Sequence, residues 1–237
     1  MFQKSNLRYL VEFIIIITGV FLSFYLDDIR QLNEKKDYKD TLIEELIVSS
    51  QEDLTQLKNI ISDLDVVQVY ISQILLDLAD KTKNLEDSEI AEKYLFITQK
   101  MSVSFFPQNG IFNQLISTGS IELIDNNDLR RTLLSIFTHY YERNSANNRT
   151  LDDLYLAFGK DIDPYISVMP VDKNDASFIY GDKDVGSYSI DTDFYLSNKF
   201  KAYLLTASSM TDKNIDMLNI FQSNYQKVVE LGQEELR

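Results

Sequence analysis

The stretch Ile43–Leu78, IEELIVSSQEDLTQLKNIISDLDVVQVYISQILLDL, decides the fold because its apolar residues recur in alternating steps of four and three. That spacing is typical of a coiled coil or a long bundle helix, which would here be about 54 Å long. The recurring positions are Ile43, Ile47, Ser50, Leu54, Leu57, Ile61, Leu64, Gln68, Ile71, Leu75 and Leu78. We predict that the helix–helix contacts are made by Leu54, Leu57, Ile61, Leu64, Gln68 and Ile71.

Two interpretations of this seam stay open. A narrow seam favours a coiled coil between copies of the chain, in which polar positions such as Ser50 and Gln68 fix the register. A wider stripe favours an antiparallel bundle within one chain. Further apolar residues widen the stripe at Leu42, Leu46, Ile60, Val67 and Ile74. We therefore expect an intrachain bundle, with self-association as an additional possibility.

Outward from this helix, the N-terminal stretch Leu7–Leu26 reads LRYLVEFIIIITGVFLSFYL and is uncharged from Phe13 onward. With its flanks it has the roughly 20 residues that a helix needs to cross a bilayer. A cleaved signal peptide would need a small-x-small site after the apolar run, and Tyr25-Leu26-Asp27-Asp28 offers none. The sequence therefore predicts an uncleaved transmembrane anchor. A buried helix of a soluble body is the other alternative.

The orientation of this anchor has opposing indicators. The cations that flank it are Lys4 and Arg8 before the span and Arg30, Lys35, Lys36 and Lys39 just after it. Counting Lys and Arg alone, the positive-inside rule slightly favours a cytoplasmic body. The short N-terminus, however, needs no machinery to stay inside, and an acidic, cysteine-free body suits a periplasm. We expect a cytoplasmic N-terminus and a body outside the cytoplasm.

Four residues of the anchor are candidates for a functional role. Glu12 is a carboxylate within an apolar segment, which suggests an ion or proton site. It lies one turn from Arg8 on the same helix face, so an ordinary ion pair or snorkelling near the interface is the preferred interpretation. Gly19 and Ser23 form a small-xxx-small pair that permits close helix–helix approach.

Composition excludes several function classes. A net charge of −14 argues against nucleic-acid binding, which depends on Lys and Arg. The absence of cysteine removes disulfides, thiolate metal sites and cysteine nucleophiles, and a single histidine removes His-rich metal sites. Between Val20 and Asn109, Pro107 is the only proline or glycine, which predicts a mostly helical chain.

The sequence as a whole predicts an all-α architecture with three parts. Residues 1–28 are the transmembrane anchor, residues 29–84 the long juxtamembrane helix, and residues 85–237 a helical bundle. Gly and Pro make 159–190 irregular, either a long loop or a small hairpin. We expect Phe105 and Phe106 to enter the core, Gly119 to end a short helix, the run at 125–127 to cap the next helix, and the last helical region to break near Ser208–Asp212.

The sequence contains few residues or motifs that are typical of catalysis, cofactor binding or metal binding. The chain lacks the glycine-rich phosphate loops, the His-Glu-x-x-His zinc motif and the nucleophile elbow, so we expect no enzyme, no cofactor and no metal. His139 is a lone helical histidine and is interpreted as packing or surface. Asp-x-Asp pairs at 161/163, 182/184 and 191/193 carry calcium-type oxygens but do not fit the EF-hand loop, so a solvated acidic loop is preferred.

Three stretches carry a family resemblance. They are Glu12–Val20 (EFIIIITGV), the charged region from Asn33-Glu34-Lys35-Lys36 onward, and Leu115–Arg130 (LISTGSIELIDNNDLR). Together they resemble an uncharacterised family of single-pass bacterial membrane proteins, mainly from Bacteroidota. The resemblance covers roughly the first 140 residues and implies a membrane-anchored helical protein without a known activity, cofactor or catalytic residue. It also implies that Glu12 occupies the family's acidic position.

These observations lead to one functional expectation, two alternatives and, more weakly, an acid/base enzyme that uses paired carboxylates. We expect a single-pass protein of a bacterial inner membrane that acts as a structural or accessory subunit of a membrane complex. Its partners would be the bilayer and either further copies of itself or other membrane-complex proteins. The alternatives are a channel or motor component that uses Glu12 for ion or proton coupling, and a helical bundle that senses a ligand.

Overall fold

A computed structural model describes residues 2–79, 81–173 and 183–237; the side chains of residues 2–8, 10 and 11 lie outside this description. The elements are α1 (Phe2–Asp77), α2 (Asp87–Lys100), α3 (Gly110–Ser117), a 3-10 turn (Ser120–Leu123), α4 (Asn127–Leu134), a π-helical turn (Ser135–Tyr140), α5 (Tyr141–Asp161), β1 (Ile166–Asp172), β2 (Lys183–Ile190), α6 (Thr192–Tyr195) and α7 (Asn198–Glu235). The predicted helical class is confirmed, with one correction. The irregular segment holds a small antiparallel hairpin, so the chain is mostly rather than entirely helical.

The first helix is a single rod. It extends over 76 residues and passes residue 28 without a break. The sequence explains this continuity, because neither proline nor a second glycine follows Gly19 within it. Across the described residues, none of the helices offers a stretch of sufficient length and hydrophobicity for a bilayer crossing. The anchor at 1–28 stays a prediction.

The apolar stripe of α1 packs within the chain, as its width predicts. Leu57 and Leu64, two positions of the predicted seam, are fully buried. The widening residues Leu46, Val67 and Ile74 are buried as well, whereas the seam positions Leu54 and Ile61 are half-buried. The residues that widen the stripe are therefore covered more completely than part of the predicted seam.

Helix α7 runs antiparallel to α1 and divides the core into two clusters. Lys39 contacts Glu235 at one end, and at the other end Asp77 contacts Tyr195 of α6, which directly precedes α7. The first cluster joins residues 42–64 of α1 to α3, α4 and the C-terminal half of α7. The second joins residues 67–78 to α2, α5, the start of β1 and the N-terminal half of α7.

The break expected near Ser208–Asp212 is wrong, because α7 continues through it. The polar residues there face a polar seam position on α1. Ser208 donates a hydrogen bond to the Oε1 atom of Gln68 at 2.8 Å, and Thr211 is buried. The polar run inside α7 is thus explained by its contact with Gln68 on α1 and does not mark a helix break.

Local signals were more reliable. The Oδ1 atom of Asn126 accepts from the backbone of Asp128 and Leu129 and caps α4, as predicted. Gly119 adopts φ 71° after α3, in the left-handed region that glycine tolerates best. Of the two phenylalanines, Phe105 is buried but Phe106 is 65% exposed, so half of that expectation is wrong.

The loop that carries Phe105 is fixed by amide side chains. Asn144 and Asn148, one turn apart on α5, both donate to the carbonyl oxygen of Phe105, at 2.7 and 3.1 Å. The backbone N–H of Gln108 donates to the buried carboxylate of Asp53 on α1. Residues 102–109 are therefore held between α1 and α5.

Candidate functional site

The N-terminal part of α1 exposes an apolar surface that nothing in the described chain covers. Its residues are more than half exposed at Phe13, Ile14, Ile15, Ile16, Val20, Phe21, Leu22, Phe24, Tyr25 and Leu26. Monomeric soluble proteins rarely expose contiguous apolar patches of this kind, and such patches mark membrane or protein contacts. This segment, residues 13–26, is the first component of the candidate site.

The polar candidates of the anchor lie on the same helix. Glu12 is exposed. The side chain of Arg8, and with it the predicted pair with Glu12, lies outside the described residues. Ser23 donates a hydrogen bond to the carbonyl oxygen of Gly19 at 2.9 Å. A Cβ atom at Gly19 would meet nothing within 4 Å, so the surface beside it is open to a neighbouring helix.

The predicted contact residues of the seam meet α7 of the same chain. Leu57 and Leu64 are buried in the first core cluster with Leu218 and Phe221, and Leu54 and Ile61 pack against its edge. Ile71 is buried in the second cluster with Leu204. The geometry assigns these residues to an intrachain helix pair.

Gln68 joins the two helices at the level where one core cluster gives way to the other. Its Nε2 atom donates to the carbonyl oxygen of Ser208 at 2.7 Å and to the Oδ1 atom of Asp212 at 2.6 Å. Because its Oε1 atom also accepts the hydrogen bond from Ser208, both the nitrogen and the oxygen of the Gln68 amide are hydrogen-bonded. Nearby, Asn147 donates to Asn214 at 2.8 Å, so this level of the bundle is a polar layer of the kind that sets register between paired helices.

A buried ion pair closes the bundle where the rod leaves it. The Nζ atom of Lys39 lies 2.6 Å from the Oε1 atom of Glu235, and only 6% and 2% of the two side chains are exposed. Glu235 also accepts from the backbone N–H groups of Asp125 and Asn126, at 3.0 and 2.8 Å. One carboxylate therefore ties α1, α7 and the turn before α4 together; we call this the junction.

The electrostatics of the junction favour both charges. Burial alone would lower the pKa of Lys39, but its hydrogen bonds to Asp40 and Glu235 outweigh burial and raise that pKa. Burial alone would raise the pKa of Glu235, but Lys39 and the backbone donors of Asn126 and Asp125 lower it. The ion pair is thus stabilised at neutral pH.

Sequence reasoning missed the junction. The signal available for Lys39 was its place four residues before Ile43, on the buried frame of α1, where an uncompensated charge is costly. Glu235 carried no local signal, since it sits beside Glu234 in an acidic end of α7.

Four aspartates of the predicted acidic pairs have partners within the fold. Asp161 accepts from the hydroxyl of Tyr203, and Asp163 accepts from Tyr94 at 2.7 Å. Asp191 caps α6, and Asp184 pairs with Lys173. Asp182 lies outside the described residues. Among the residues that are described, no cluster of three His, Cys, Asp or Glu side chains is placed to hold a metal.

His139 lies on the π-helical turn and is exposed. Its ring contacts that of Tyr140 edge-on, with centroids 5.1 Å apart. This is a surface contact between neighbours in sequence.

Two clefts flank the hairpin at the end of the body away from the rod. The larger has a volume of about 580 Å³ between α2, α5 and β1, with Tyr94, Phe158, Lys160 and Pro170 in its lining. The smaller, about 390 Å³, lies between α1, α2 and β2. Both are within the size range of small-molecule sites.

No protein-family model, curated protein or solved structure matches this chain. The family resemblance stated above therefore stays a prediction. The features of the chain that bear on its function are the exposed apolar segment, the seam and the junction.

Proposed function

We propose that this chain is a single-pass, membrane-anchored helical protein that serves as a structural or accessory subunit of a membrane complex and not as an enzyme. One observation carries the proposal: residues 13–26 expose apolar side chains on the same continuous helix that forms the spine of the folded body. Burial of such a surface in lipid or against another membrane helix is strongly favourable.

The junction supports a mechanical role for the rod. Lys39 and Glu235 fasten the base of the rod to the far end of the chain and to the turn before α4. The anchor would therefore hold the body at a fixed distance and orientation from the membrane. Residues 27–38 span about 18 Å at the helical rise, which separates the body from the bilayer.

Membrane fractionation of the full-length chain tests the anchor. We expect the protein in the membrane pellet after an alkaline wash, and the double variant Ile16→Asp, Val20→Asp in the soluble fraction. Leu76→Asp is the matched control, because Leu76 is on the same helix and is 74% exposed, yet lies in the body. A wild-type chain that is washed free as a monomer would overturn the proposal.

Thiol labelling tests the topology, because the chain has no cysteine of its own. In the proposed arrangement, the body is periplasmic and the N-terminus cytoplasmic in a bacterial inner membrane. Ser223→Cys, at an exposed position on α7, should react with an impermeant maleimide in spheroplasts, whereas Ser5→Cys should react only after lysis. The reverse pattern would assign the body to the cytoplasm.

A further inference from the structure

The buried stripe of α1 continues below the body. Counted back from Leu46, its alternating steps of three and four residues pass through Ile43, Lys39 and the exposed Lys36 and then reach Leu32, Ile29, Tyr25 and Leu22. We call these last four residues the stalk stripe. In the body, Lys39, Ile43 and Leu46 are at most 5% exposed, whereas Ile29 and Leu32 are 38% and 45% exposed.

Helix α7, which covers the stripe in the body, ends at the junction, whereas the stripe on α1 continues toward the N-terminus. Helix α7 finishes at Glu235, whose carboxylate binds Lys39. One turn earlier, a Cβ atom at Gly232 would stand 3.0 Å from the Cγ1 atom of Ile47, so α7 lies very close to α1 there. Below Lys39 the same face of α1 has no helix against it within the described chain.

The part of α1 from Leu22 to Lys36 is called the stalk here, and its other face is polar and already partnered. Asp27 accepts hydrogen bonds from Arg30 and Gln31, both at 2.8 Å. Apolar residues on one face and self-paired polar residues on the other are the pattern of a helix that docks one side against another helix.

A second copy of this chain that packs nearly parallel along the whole stalk stripe does not fit. Packed helices have axes 8–10 Å apart. A parallel copy that followed the stripe upward would reach the position that α7 occupies beside Ile43 and Ile47. A helix that lies along the stripe must therefore end on the N-terminal side of the junction.

We propose that the stalk stripe docks an apolar membrane-spanning helix of another protein, which continues the line of α7 into the bilayer. From Leu26 to Lys36 the stalk rises about 15 Å, so the partner helix would emerge from the membrane by about three turns. Lys35 and Lys36 stand at the upper end of the stripe, where they complement a helix C-terminus or acidic residues on it. The inference rests on the proposed function, since the lower stripe lies in the anchor.

Site-specific photo-crosslinking in native membranes tests the inference. p-Benzoylphenylalanine is placed at Ile29 or Leu32 of the full-length chain, and at Gln31 or Glu34 on the opposite face as matched controls. We expect one discrete adduct from the first two positions and none from the controls. The crosslinked peptide, sequenced by mass spectrometry, should come from the membrane exit of a spanning helix of another protein. Adding Leu22→Asn should weaken that adduct at least about fivefold.

Each other outcome has a defined meaning. An adduct of twice the chain's mass would show a second copy and overturn the inference, as would a peptide from a soluble protein. Equal adducts at all four positions, or lipid adducts alone, would also overturn it. If the chain remains in the washed membrane pellet while the stripe gives no adduct, only this inference fails. If the chain is soluble, the proposed function fails first.

Discussion

The stalk and the body are two regions of one helix with the same repeat and opposite surroundings. In the body, α7 covers the frame of Ile43 and Leu46, and the junction closes its lower end. In the stalk, Ile29 and Leu32 occupy the same frame without a cover. The comparison shows that an apolar heptad specifies that a helix needs a partner, but the partner is specified elsewhere in the chain or in another molecule.

The largest expected effect comes from placing the same charge in each region. Leu64→Asp buries an unpaired carboxylate in the first core cluster and should lower the free energy of unfolding by at least about 4 kcal/mol. Leu32→Asp, in the stalk, should change it by less than about 0.5 kcal/mol. Denaturant unfolding followed by circular dichroism measures both. Equal effects would show that the stalk and the body unfold as one packed unit.

The junction gives the next largest effect. Lys39→Met leaves Glu235 buried without its cation and should destabilise the body by about 3 kcal/mol. Lys36→Met is the matched control on the same frame, three residues nearer the N-terminus, and should be nearly neutral. If both variants are neutral in denaturant unfolding, the junction does not hold the rod to the body.

The pH dependence of stability should separate two buried carboxylates. The pKa of Glu235 is lowered, so its contribution is present above the unfolded-state value and is lost as pH falls through the folded-state value. Burial raises the pKa of Asp53 against hydrogen bonds that include those from Gln108, so protonation of Asp53 on acidification favours the folded state.

Urea unfolding over an acidic pH series checks this difference in sign. Glu235→Gln should flatten the loss of stability on acidification, whereas Asp53→Asn should steepen it. The same slope in both variants would contradict the opposite pKa shifts.

The sequence predicted what a single helix can encode. Local rules account for three features. Apolar periodicity predicts the buried positions Ile43, Leu57 and Leu64, and capping preferences predict the cap at Asn126 and the left-handed turn at Gly119. The wider row at Leu46 and Val67 indicated packing within the chain, which is what the structure has.

The rest depended on contacts between distant segments. Ser208 and Asp212 resembled a helix break because their polarity is explained only by Gln68, 140 residues or more away in the chain. Glu235 is chemically the same as Glu234, and only the fold places it against Lys39. For the candidate site, the apolar run at 13–26 could be predicted, but the end of α7 at the junction, which leaves the stalk stripe uncovered, could not.

The smallest expected effect concerns the polar layer that separates the two core clusters. Gln68→Leu removes the hydrogen bonds to Ser208 and Asp212 and should cost about 1 kcal/mol, because a typical hydrogen bond contributes about that much net and Leu regains some burial. Gln73→Leu, at an exposed position on the same helix, should be neutral. Native-state hydrogen exchange would show whether the layer also sets register, since a shift of α7 against α1 would lower protection around both Ser208 and the junction. Loss of protection near Ser208 alone would mean that the junction by itself fixes the register of the pair.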